Sequence, residues 1–254
     1  PAVTVWIAQV ATPARGAAVT ALATTLGFGA GPMATSLWSD GLSHTPPSYF
    51  VMIALLCASL LGVLSLRALP ATTPAPTDPK KKSAPIFRDG VWLYGASLGL
   101  GWGVAGVVLS ILPLMLRPLG AIQWSGPAVF GMLGAGALAQ RHAARIAPAL
   151  SIRTGTIIQC AAFVVLGAGA WAGSVPLLCA GAVAGGVASH GYTFAGGLRA
   201  VAAGATDDER ARSVSGYFLV GYLGFAAMSL GIGFLARFTS LEVALSAAGV
   251  SLAL

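Results

Sequence analysis

The stretch GGVASHGYTFAGGLRA, residues 185–200, places an imidazole, a phenol and a hydroxyl within four positions of one another. His190, Tyr192 and Thr193 carry its chemistry. Histidine titrates near neutral pH, so it can take up or pass on a proton. If the segment is an α-helix, Gly186, His190, Thr193 and Gly197 recur at i, i+4, i+7 and i+11 and share a face. Gly185, Ser189, Tyr192 and Gly196 lie beside them, and Val187, Phe194 and Leu198 fall on the other side. A stripe of small and polar residues turns away from lipid, and an ionisable group within it is a functional-site hypothesis. The alternative is a neutral imidazole bonded to a carbonyl of a neighbouring helix. Trp102 is a second candidate, set among Gly95, Gly99 and Gly106, with a ring face for an apolar solute and a plain packing role as the alternative. The substrate-binding candidates are therefore His190, Tyr192, Thr193 and Trp102, with no catalytic residue, metal site or cofactor expected.

The elements that must hold these residues follow from composition. Apolar residues make up 56% of the 254 positions and charged residues 8%, against about a quarter charged in soluble domains. The charges are clumped, leaving apolar runs long enough to cross a hydrocarbon core of roughly 30 Å. An all-α, polytopic transmembrane bundle is expected. The predicted spans are 14–37, 48–66, 91–116, 122–139, 154–171, 175–198 and 214–236, with a further one beginning at 241–254 and a helix tail at the start of the chain. On this reading the chain is a piece of a longer protein. Cys57, Cys160 and Cys179 all fall in apolar spans and fit no zinc or disulfide spacing.

Residues 67–90, RALPATTPAPTDPKKKSAPIFRDG, hold five prolines and the run Lys80, Lys81, Lys82. That composition favours an extended, hydrated linker. It divides the chain into 1–66, the linker 67–90 and 91–254. Alternate loops carry Arg15; Arg67, Lys80, Lys81, Lys82 and Arg88; Arg141, Arg145 and Arg153; and Arg199, Arg210 and Arg212. The opposite loops carry only Arg117 and Arg237. By the positive-inside rule the linker lies in the cytoplasm. The net charge of +7 is then a topology signal that requires no nucleic-acid partner.

Two further motifs bear on packing or gating. LGFGAGPMATS contains Gly27, Gly31 and Pro32 as G-x-x-x-G-P, where glycines four apart admit a second backbone. GALAQRHAAR places Gly136, Arg141 and Arg145 at a helix end with arginines at the interface. On the eleventh expected span Tyr217, Gly221, Gly224 and Met228 line up as a packing seam, and Gln159 is assigned a structural role.

Taken with the linker, these motifs resemble the major facilitator superfamily over essentially the whole chain. GFGAGP is similar to the fifth-span motif of its antiporters, with Thr35 and Ser36 in place of the final glycines. GALAQRHAAR is similar to the family's loop motif between the eighth and ninth spans, with Gln140 where an aspartate is usual. The resemblance implies two six-helix bundles, the first incomplete here, and makes residues 175–198 the tenth span, which lines the central cavity. It implies a secondary transporter of small molecules in a bacterial inner membrane, with proton-coupled efflux as the first expectation. Metabolite uptake, or a receptor or assembly role without flux, are the alternatives. The expected partners are the lipid bilayer, a small-molecule substrate and protons. An intramembrane enzyme is not expected: no H-E-x-x-H occurs, SVSG at 213–216 lacks the first glycine of a serine-protease motif, and no Asp or Glu falls well inside an expected span.

Overall fold

The computed structural model describes residues 29–35, 47–65, 90–205 and 207–253. The described residues are overwhelmingly helical, without a strand. Gly27, Asp40 and nearly all of the 67–90 linker, with its lysine run, lie outside them.

Helix α1 spans Pro47–Ser65 and presents apolar side chains such as Phe50, Leu56 and Leu61 outward. Helix α2 spans Val91–Ser110 and is followed by the short α3, Leu112–Leu116. The predicted span 91–116 is thus two pieces, because Pro113 has no N–H to continue the ladder past the break at Ile111. Gly120, at φ 65°, turns the chain into α4, Ser125–Ala143. Helix α5, Pro148–Ala172, opens on a proline in its first turn, where the missing donor costs nothing, and so starts six residues before the predicted span at 154. It ends at Gly173, φ 59°, where Gly173 N donates to Ala170 O and Ser174 N to Gly169 O. This Schellman closure satisfies two otherwise unpaired carbonyls and leads straight into α6, Val175–Gly186.

Helix α6 runs without a loop into a π-helical turn, Val187–Thr193, and then α7, Phe194–Ala203. Helices α8, Asp207–Leu235, and α9, Leu241–Ala253, complete the described chain. Among the described residues, three helices are long and apolar enough to cross a membrane: Val91–Ser110, Pro148–Ala172 and, within α8, Arg212–Leu235.

The α6–π–α7 rod sits among α2, α4, α5 and α8. One apolar core, including Val104, Val108, Leu112, Met132, Leu166 and Leu178, fills the space on its α6 side. A second, of Val91, Leu98, Val201 and Tyr217, lies at the α7 side. The glycine stripes of α2 and α8 pack on each other: a Cβ on Gly99 would lie 3.2 Å from Gly224 Cα, and one on Gly95 would lie 2.7 Å from Val220 Cβ. Only residues without side chains let two backbones meet so closely.

Candidate functional site

His190 lies in the middle of the π turn. There the hydrogen bonding steps from i−4 to i−5, as in Phe194 N donating to Ser189 O. The wider turn redirects carbonyls away from the usual helical ladder, and neighbouring helices meet them. Gln140 Nε2, from α4, donates to His190 O at 2.9 Å. Ser151 Oγ, from α5, donates to Tyr192 O at 2.8 Å. The hydroxyl of the fully buried Tyr217, from α8, reaches Thr193 O at 3.3 Å and Phe194 O at 3.1 Å. Side chains from three helices thus hold one irregular turn. π turns of this kind occur often at functional sites.

Packing fixes the position of the turn as tightly as its hydrogen bonds do. A Cβ on Gly186 would collide with Met132 O, and one on Gly136 would lie 2.7 Å from both Gly186 O and His190 Cβ. Gly136 therefore serves as a contact point between α4 and the π turn.

The imidazole of His190 is partly buried, and its Nδ1 shares a hydrogen bond of 2.9 Å with Ser189 Oγ. The ring stacks on Trp102 of α2, with centroids 6.2 Å apart and planes at 23°. Phe194 approaches the same indole at 6.2 Å, Phe218 at 5.8 Å and Tyr222 at 5.0 Å. Trp102 Nε1 is buried and has no acceptor among the described residues. The result is an aromatic cluster with one imidazole and one unpaired indole N–H. Two residues chosen separately from the sequence, Trp102 and His190, are neighbours in space.

The other two candidates do not join them. Thr193 is buried, and its hydroxyl donates to Ser189 O at 2.8 Å and Ala188 O at 3.2 Å. It is wedged against Gly101 of α2 and Gly155 of α5. Tyr192 turns instead to His142, its hydroxyl 2.8 Å from Nδ1. The single-face stripe expected of an ideal α-helix is broken for the same reason. In the wider turn His190 and Phe194 both face Trp102, Thr193 points between α2 and α5, and Gly197 meets Tyr217 of α8.

The two packing motifs fare differently. In 29–35 it is Gly29, not Gly31, that approaches another helix: a Cβ there would lie 3.3 Å from Phe130 of α4, whereas a Cβ on Gly31 meets nothing within 4 Å among the described residues. Pro32 is carried within this short helical stretch. Arg141 and Arg145 are exposed. The arginine that engages the α4–α5 loop is Arg199 of α7, whose guanidinium donates to Ala143 O, Ala144 O and Ile146 O at 2.5–3.2 Å. Ala143 O and Ala144 O end α4, where helices leave acceptors unpaired and favour positive charge, and Ile146 O lies in the loop beyond.

Sequence reasoning missed Phe194, Phe218, Tyr222, Gln140, Ser151 and Arg199. Phe218 and Tyr222 carried a usable signal, since they stand four apart on α8 and so share a face. Among the described residues no three His, Cys, Asp or Glu side chains gather as a metal site. Comparisons with family models, with curated proteins and with solved structures gave no match to the chain.

Proposed function

We propose that this chain is the greater part of a secondary transporter of the major facilitator type, moving small, partly apolar molecules by alternating access. In this reading it is a multi-pass protein of the bacterial inner membrane, the 67–90 segment joins two bundles on the cytoplasmic side, and no bond of the solute is made or broken. One observation supports it above the rest: an imidazole in an irregular turn of a central apolar helix, stacked on Trp102. Irregular backbone at membrane depth is tolerated where it is buried in protein or lines a water-filled cavity, and an ionisable group there is by default a functional-site hypothesis.

In this mechanism the aromatic wall of Trp102, Phe194, Phe218 and Tyr222 takes the apolar part of the solute. His190, with Nδ1 engaged by Ser189, offers Nε2 to a polar group or a proton. The buried indole N–H favours a solute with an acceptor oxygen. Efflux against protons is the preferred direction on the GFGAGP resemblance.

The test is flux through the full-length protein in liposomes, with a panel of amphipathic dyes and an imposed proton gradient. Saturable, gradient-driven movement of one or more dyes is the expected outcome, with loss on Trp102→Ala. Absence of saturable flux for every dye and for unlabelled metabolites would turn the reading towards a receptor or assembly protein.

A further inference from the structure

A small cavity opens between α2, α5 and the end of the π turn, away from the aromatic cluster. Ser97, Leu100, Gly101, Thr156, Gln159 and Thr193 are among its walls. It has room for a water's centre over about 10 Å³, about the volume that admits one water molecule.

The chemistry of the walls is one-sided. Ser97 Oγ donates to Tyr94 O at 2.8 Å, Thr156 Oγ1 to Ile152 O at 3.0 Å and Thr193 Oγ1 to Ser189 O at 2.8 Å. Each hydroxyl has therefore spent its proton on its own helix and retains acceptor capacity. Gln159 is 3% exposed, and its Nε2 donates across to Leu100 O at 3.4 Å. A carbonyl can only accept, so the amide is oriented with Oε1 turned elsewhere. That oxygen is buried and has no protein partner among the described residues. An unsatisfied buried acceptor costs roughly 1–3 kcal/mol, and buried waters commonly meet such groups.

We propose that this cavity is a binding site for a single structural water, which donates hydrogen bonds to Gln159 Oε1 and Thr193 Oγ1. A neutral double donor fits a neutral set of acceptors. A cation would have to shed its hydration with no carboxylate on the wall to balance it, which is costly at such depth. The water joins α5 to the last residue of the π turn, beside Gly101 of α2. The site stands independently of the transport reading.

The test is a high-resolution density map of the full chain in lipid nanodiscs, collected once in sodium buffer and once in buffer with a bulky organic cation. The expected result is one peak at about 2.7–3.2 Å from both Gln159 Oε1 and Thr193 Oγ1 in both buffers. In Gln159→Leu and Gln159→Met the peak is lost. A wild-type map without the peak, or a peak present only in sodium with shorter contacts, overturns the proposal, and the latter would make it an ion site.

Discussion

Helices α2 and α8 meet along a regular seam, whereas α6 and α7 are joined by a turn that departs from regularity, and the two junctions solve opposite problems. At the seam Gly99 and Gly224 simply let the backbones approach. At the π turn the backbone gives up its regular partners, and Gln140, Ser151 and Tyr217 reach across to replace them. The seam owes its stability to the absence of side chains and the turn to their presence. The proposed transport function uses both: rigid rods that move as units, and one place where backbone and titratable side chain would meet a solute.

Substitutions can separate the two kinds of junction. The largest effect is expected for Gly224→Leu, whose side chain must force α8 off α2. Overpacking typically costs about 1–3 kcal/mol and sometimes more, and backbone contact places this site at the upper end. Thermal unfolding in detergent should show loss of the folded protein, while Gly231→Ala, which meets nothing within 4 Å among the described residues, should be neutral or slightly stabilising.

Tyr217→Phe comes next. It strips the donor from Thr193 O and Phe194 O inside the core, and a cost of about 1–3 kcal/mol is expected. The matched control is Ser110→Ala, whose hydroxyl bonds Gly106 O in its own helix; a change within about 0.5 kcal/mol is expected there. Equal losses in the two variants would erase the distinction between the seam and the turn.

Arg199→Met should cost about 1–2 kcal/mol by uncapping the end of α4. Proteolysis within the α4–α5 loop should rise with it, whereas Arg141→Met should leave cleavage unchanged. The smallest effect belongs to Tyr192→Phe, because its bond to His142 is exposed. Unfolding should move by no more than about 0.5 kcal/mol. A large loss would mean that this pair, too, holds the turn.

The seam was legible in the sequence because glycine stripes on α2 and α8 follow the ordinary helical period, and a regular helix preserves that phase from end to end. The π turn was not. Nothing in VASHGYT distinguishes i−5 from i−4 bonding, since the donors that stabilise the turn come from positions 140, 151 and 217, far away in sequence. One extra residue in a turn rotates all that follows, which is why Thr193 left the expected face and Phe194 joined it. Trp102 and His190 were each visible as unusual residues in apolar runs, but only the fold brings their rings to 6.2 Å. Arg199 was read as a topology charge because its carbonyl partners exist only once α4 has ended beside α7.

In the proposed mechanism the π turn places His190 in the path of the solute. It is tested most directly by comparing wild type and His190→Ala, at matched amounts of folded protein in liposomes, for solute flux across pH 5 to 8. The expected result is at least about a tenfold loss of flux, equivalent to roughly 1.4 kcal/mol, or a displaced pH optimum, with unfolding little changed. Equal flux at every pH would contradict it and leave His190 as a packing residue on Trp102.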